Sequence, residues 1–384
     1  MKILVNALSA KKGGIVTYTK NLQEAFISRG IDSTIAVPKE FESKSSGSVF
    51  NLDVADYSPP HRLIWEQTSW RRIVKWANPD ILFSSANFGL LYSPVPQILL
   101  LREGGLFDPF YLANMTAEQG VALAFSRNMR RRLMLASARR ADQIMTPTKA
   151  MRDMVAKWSP ELINKCSVNP YGTLIAKFRP TEPKRAWRGD GMLRILYVSV
   201  YYPHKVPGLV CQVVEQLNKE GIPSHATITM SPDEFGLMRG GAVDQGIVVE
   251  ASKRGFVTLG HHDYDTLPDL YRSHDVFVFP SVSETFGHPM AEAMSSGLPV
   301  IASDTQINRE ICGDAGLFFK PFSVSQLAAL IHQMDNDPQS RQRMAEKGRQ
   351  RVLENFGWEH HIDRLIDTFE HLIETSSKLA ASRK

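Results

Sequence analysis

Two glutamates, Glu284 and Glu292, stand eight positions apart in ETFGHPMAEAMSSGLPVIASD (284–304). A carboxylate accepts hydrogen bonds from two neighbouring hydroxyls at once, and charge-assisted bonds are the stronger kind, so such a group suits the vicinal diol of a ribose. Around the pair, DVFVFPS reads as a buried strand, VSETFGH as a loop and PMAEAMSSG as a helix, with proline in its first turn and glycine at its C-terminal cap. Glu284 then lies on the loop and Glu292 just inside the helix. Taken separately, Glu292 also reads as a complement to the helix dipole and Glu284 as a solvated loop residue. Together, in a strand, loop and helix setting, they favour ligand binding.

Two further stretches have the composition of anion sites. YVSVYYPHKVPGLV (197–210) runs from a strand into a loop bearing His204 and Lys205, and a lysine offers a mobile point charge to a diphosphate. On its own, Lys205 reads as a solvated surface lysine. KKGGIVTYTKNL (11–22) sets Gly13 and Gly14 before a helical pattern. Paired glycines permit positive φ and let a ligand approach backbone N–H groups at the positive end of the helix. No G-x-G-x-x-G spacing is present, and a plain turn closing a βα unit explains the glycines equally well. No His, Asp or Cys cluster has metal-ligand spacing. The adjacent histidines of GHHDYD (260–265) make a poor cage, and no metal or cofactor is expected.

The elements that must position these residues alternate regularly. Apolar runs KILVN (2–6), STIAV (33–37), DILFS (80–84), QILLL (97–101) and DQIMT (142–146) are separated by longer helix-like stretches, which predicts parallel strands with crossover helices. The polar interval RPTEPKRAWRGDG (179–191) has linker composition. The rhythm then restarts with LRILYVS (193–199), SHATITM (224–230), GFVTL (255–259), DVFVFP (275–280) and PVIAS (299–303), and the tail from about 324 reads as helical throughout. Two α/β domains in tandem follow.

Composition sets outer bounds. The 384 residues, 43% hydrophobic and 22% charged, are ordinary for a globular protein. The widely spaced Cys166, Cys211 and Cys312 form neither a bridge framework nor a metal pair, which fits a reduced cytoplasm. No stretch approaches the roughly 18 apolar residues of a spanning helix. The net charge of +5 suits anionic partners without choosing among them, and no nucleic-acid module accompanies it. SRNMRRRLMLASARRA (126–141) and WRRIVKWANP (70–79) mix arginines with apolar residues and two tryptophans. They read either as core-facing helices with a basic solvated side or as a peripheral contact with an anionic inner-membrane face.

SETFGHPMAEAMSSGLPVIASD resembles the E-x7-E segment of retaining glycosyltransferase family four (glycosyl transferases group 1). The resemblance extends through GGIVTYTKNL, ADQIMTPTKAMRDMV (141–155), VNPYGTLIAKFRP (168–180), the Lys205 loop, GDAGLFF (313–319) and FGWEHHIDRL (356–365). It implies two Rossmann-like domains of the GT-B type facing each other across a cleft. Residues 1–180 would bind acceptor and 192–357 the nucleotide sugar, with the helix 358–384 crossing back to the N-terminal domain. It further implies that Glu292 holds the donor ribose, that Glu284 lies beside the transferred sugar, and that the Phe286 and Gly287 backbone contacts sugar or diphosphate. Ser199, His204 and His288 join the donor-binding set, Lys205 stabilises the departing phosphate, and Gly13 and Gly14 face donor and acceptor. The implied reaction is metal-independent hexosyl transfer, with mannose the expected sugar, to a glycan or lipid-linked oligosaccharide in surface polysaccharide (lipopolysaccharide) assembly. Two positions depart from the pattern. Val200 stands where an arginine commonly precedes the lysine by five residues, so either His204 or another arginine compensates or the phosphate is held less tightly. REGGLFDPF (102–110) replaces a usual histidine segment, so Arg102 or Glu103 takes that catalytic place, or the two belong to a salt-bridged loop. Alternatives on the same architecture are a nucleotide-sugar epimerase, a phosphorylase and a non-catalytic nucleotide- or partner-binding protein.

Overall fold

The computed structural model describes residues 1–11, 13–42, 49–54, 56–116, 120–181, 185–236 and 241–382. Lys12 beside Gly13, residues 182–184 of the polar interval and residues 383–384 of the tail lie outside them. The chain divides into two compact units. One comprises Met1–Phe107, Gln119–Asn169 and His361–Lys384, the other Asp108–Glu118 and Pro170–His360.

Each unit is built on a parallel sheet. In the first, β1 (Lys2–Asn6), β2 (Asp32–Pro38), β3 (Val49–Leu52), β4 (Ile81–Ser84), β5 (Gln97–Leu100), β6 (Gln143–Thr146) and β7 (Cys166–Val168) run in the order 3-2-1-4-5-6-7. In the second, β8 (Leu193–Tyr197), β9 (Ser224–Ile228), β10 (Val257–Leu259), β11 (Val276–Phe279), β12 (Val300–Ser303) and β13 (Gly316–Phe319) run in the order 10-9-8-11-12-13. Helices between the strands make both sheets Rossmann-like. Every residue of β4, β5, β11 and β12 is buried, which is why these strands read as continuous apolar runs. Strands β3, β7 and β13 escape that reading because they are edge strands of three or four residues, mostly half-exposed.

The tail is three helices rather than one: Val324–Asn336, Pro338–Asn355 and Trp358–Ser382. Asp337 starts the second by accepting the Ser340 N–H at 2.9 Å, with Pro338 in its first turn. Before the third, Gly357 forms a bridge with Thr173. Gly172 is required at that crossing, since a Cβ there would lie 2.4 Å from the Trp358 Cα. The two tryptophans of 70–79 also part company: Trp70 is fully buried with Leu4, Val74 and Leu82, while Trp76 is 88% exposed.

Strand order reverses between β1 and β4 in the first sheet, and between β8 and β11 in the second, where Val276 pairs with Ile195 and Phe277 with Leu196. Ligands of open parallel sheets bind beyond the carboxyl ends of the strands at such reversals.

Candidate active site

Lys205 follows β8 and Glu284 follows β11, so the reversal in the second sheet brings them together. They form an ion pair, each side chain 12% exposed. The Lys205 ammonium also lies over the Phe279 ring, 5.6 Å from its centroid. The buried Tyr197 hydroxyl donates to the Lys205 carbonyl at 2.7 Å and fixes the loop from beneath. Burial pushes the Glu284 carboxyl up, but the Lys205 charge, together with its hydrogen bond, one from Ser281 and the nearby His204, more than offsets this and holds the group below the usual carboxylate value. Lys205 has three donors, so it can keep Glu284 and still meet an oxyanion.

Each residue leads into an uncapped helix. After Lys205, Val206 caps Pro207–Lys219 with φ 48° and ψ 51°, a left-handed conformation unusual for a β-branched residue. After Glu284, Gly287 caps His288–Ser295 with φ 85°, and a Cβ there would sit 2.5 Å from the Met290 Cε. Neither helix has a side-chain cap bond or an acid in its first turn. Unmet N–H groups at the positive end of a helix are receptive to anions. Gly297 and Leu298 close the second helix, their N–H groups reaching Met294 O at 3.0 Å and Ala293 O at 2.9 Å.

Glu292 sits on this helix and is 6% exposed. Its Oε2 accepts from the Tyr271 hydroxyl at 2.9 Å. Desolvation pushes its carboxyl up to about 7, against hydrogen bonds from Tyr271 and Tyr264 and the nearby Lys177 charge. Phe286 is core, packed edge-on against Tyr171 and Phe356, so its backbone alone is available to a ligand. His288 stacks on Tyr171 with centroids 5.0 Å apart. Ser199, beyond β8, donates its N–H to Thr229 Oγ1 at 3.0 Å.

The departures resolve differently. Val200 is 47% exposed. His204 is half-buried, and its pKa is lowered to about 4 by desolvation and by Lys205. Its ring packs between Tyr202 and Tyr111.

In the first unit, Gly13 takes φ 70° as the cap of helix Gly14–Ser28, whereas Gly14 is already helical; both are exposed, with open space where a Cβ would go. Beyond β4, Asn87 adopts φ 62°, accepts the Arg102 N–H at 2.8 Å and donates to Glu103 at 3.4 Å. Arg130 grips both Glu103 oxygens at 2.7–3.0 Å, giving the salt-bridged arrangement. The Arg102 guanidinium lies 5.6 Å from the Tyr18 ring centroid. Sequence reasoning missed Tyr197, Tyr264, Tyr271, Lys177 and Asn87. Tyr271 and Lys177 lie on other elements than Glu292, and Tyr197 and Asn87, though only 8 and 15 residues from Lys205 and Arg102, act through hydrogen bonds that no residue spacing reveals.

Comparison with known proteins identifies the family. The model of the glycosyl transferases group 1 matches residues 180–351, and that of Glycosyltransferase Family 4 matches residues 12–170. The O-antigen chain mannosyltransferase B of Escherichia coli is 34% identical over 127 residues, covering 33% of this chain and 33% of that protein. The chain covers 46% and 53% of the next two curated relatives. Among solved structures, sucrose-phosphate synthase from Thermosynechococcus elongatus has a TM-score of 0.75 at 19% identity, covering 98% of this chain and 100% of that one. Anabaena HepE in complex with UDP-glucose has a TM-score of 0.73 at 15% identity, covering 97% and 100%. With both halves of the chain matched and both sheets in Rossmann-like order, the protein belongs to the group 1 and family 4 glycosyltransferases of the GT-B type.

Proposed function

We propose that the protein transfers a hexosyl group, with retention of configuration, from a nucleotide sugar to a glycan or lipid-linked oligosaccharide. The observation that carries this reading is the Lys205–Glu284 pair at the strand reversal of the second sheet, flanked by two uncapped helix N-termini, with Glu292 on the second helix. As the anomeric bond to phosphate lengthens, negative charge grows on the diphosphate and positive character on the sugar. Lys205 and the N–H groups of Pro207–Lys219 and His288–Ser295 meet the first. Glu284, kept ionised by Lys205, orients the donor sugar and faces the second. The ionised Glu292 accepts from the ribose hydroxyls. In this reading the leaving phosphate takes the acceptor proton and Glu284 forms no covalent bond to sugar. Trapping a glycosylated Glu284 peptide would overturn that assignment.

Mannose is the sugar to test first, on the likeness to an O-antigen mannosyltransferase, and the likeness to HepE, solved in complex with UDP-glucose, favours a sugar nucleotide as donor. Lys205 and the helix ends answer the diphosphate charge without a metal, so turnover is expected to persist in EDTA. A peripheral membrane contact belongs to the same reading. Helix Gly120–Arg140 exposes Val121, Phe125 and Met129 along with Arg132, a surface suited to anionic lipid. None of the helices among the described residues is long and apolar enough to cross a membrane. The test is incubation with GDP-mannose, UDP-glucose and related donors plus a lipid-linked glycan, read by mass spectrometry. Addition of one hexose with release of nucleoside diphosphate is expected. Donor conversion without acceptor would favour an epimerase, and a strict need for free phosphate a phosphorylase.

A further inference from the structure

Glu292 is not presented by its own helix alone. Tyr271, 1% exposed, lies on the helix Leu267–Arg272 and directs its hydroxyl to Glu292 Oε2 at 2.9 Å, closer than its other contact, Pro289 O at 3.3 Å. The Tyr264 hydroxyl, from the loop after β10, is near enough to act on the same carboxylate, whose charge adds to burial in raising the phenol's pKa. Lys177 lies over the Tyr264 ring, 4.2 Å from its centroid, and is paired with Asp265. The groups acting on Glu292 are therefore two phenols and one lysine that carries its own counter-charge. Phe178 packs edge-on against both tyrosine rings and holds them in place. A carboxylate on a free side chain turns readily about its last torsion. One gripped by buried phenol donors keeps its plane, with the remaining lone pairs in fixed directions.

We propose that Tyr271, assisted by Tyr264, is a positioning residue for the donor nucleotide, locking the Glu292 carboxylate so that its remaining lone pairs meet the ribose diol. The inference rests on the reading of Glu292 as the ribose ligand. Discrimination between ribose and 2′-deoxyribose then depends on the phenol hydroxyls as well as on the carboxylate. The phenols also favour the ionised carboxylate, so nucleotide affinity rises with pH as Glu292 loses its proton, and removing a phenol moves that rise to higher pH.

Titration calorimetry with UDP, GDP and ADP and their 2′-deoxy forms, from about pH 5.5 to 8.5, tests this with the wild type, Tyr271→Phe, Tyr264→Phe and Glu292→Gln. The wild type is expected to prefer the ribonucleotide by roughly tenfold or more, as hydrogen bonds to a charged group require. Tyr271→Phe is expected to reduce that preference severalfold and shift the pH midpoint upward, and Glu292→Gln to abolish both preference and pH step. Loss of preference in Glu292→Gln with no change in preference or midpoint in Tyr271→Phe would overturn the inference and leave the ribose reading standing. Retention of preference in Glu292→Gln would overturn both. If Tyr271→Phe does not fold, Tyr264→Phe, whose ring is half-buried, decides by the same criteria.

Discussion

The two glutamates eight positions apart answer to pH with opposite signs. Glu284 has its pKa lowered in the folded state by Lys205, so the stability it contributes is present above its unfolded value and is lost as pH falls through the folded one. Glu292 has its pKa raised by burial to about 7, so the fold binds its proton more tightly than the unfolded chain does, and stability declines as pH rises toward 7. Glu292→Gln is expected to leave stability near pH 5 little changed and to raise it at pH 8 by on the order of 3 kcal/mol. Urea unfolding at the two pH values checks this; equal effects at both would show that Glu292 titrates normally. For the pair itself, Lys205→Ala leaves a largely buried carboxylate without its partner. A loss of about 3 kcal/mol of stability is expected by chemical denaturation, together with a fall in kcat of roughly 10²-fold or more.

At the scale of elements, both loops of the site bend through left-handed residues, but one uses glycine and the other valine. Gly287 takes φ 85°, which strains any residue with a Cβ, and a Cβ there would also displace the mobile Met290 Cε. Gly287→Ala is expected to cost about 2 kcal/mol or more by chemical denaturation, and an unchanged unfolding midpoint would contradict the φ of 85°. Val206 holds a conformation that costs a β-branched residue about 1–2 kcal/mol. Val206→Gly is therefore expected to be neutral or stabilising by up to about 1 kcal/mol after the added chain entropy of glycine, whereas ordinary loop glycines destabilise. A clear loss of stability would show that Val206 is not strained. The same scale explains what the sequence reveals. Buried strands such as β4, β5, β11 and β12 announce themselves through unbroken apolar runs, and Glu284 and Glu292 through spacing around a strand, loop and helix, whereas Lys205 and Gly287 gain a role only through the family resemblance. The edge strands β3, β7 and β13 bury too little to leave a pattern. Tyr264, Tyr271 and Tyr197 acquire their roles only when the crossover helices and loops close on the sheet.

At the scale of the whole molecule, the chain carries two sheets of Rossmann-like order, and the second concentrates the candidate donor chemistry at its strand reversal. The first unit carries the exposed basic and apolar surface of Gly120–Arg140 and the isolated Trp76. Binding to vesicles is expected to rise with anionic lipid content and fall with salt. Equal sedimentation with neutral vesicles would contradict an electrostatic contact. The site at the second sheet is tested most directly by one titration: UDP, GDP, ADP and CDP, with their sugar conjugates, against the wild type and Glu292→Ala. Selective binding of one nucleotide by the wild type, weakened at least about tenfold in the variant, is expected from a buried carboxylate that holds the ribose. Binding of the same strength by both proteins, or by neither, would contradict the assignment of this site to a nucleotide-sugar donor.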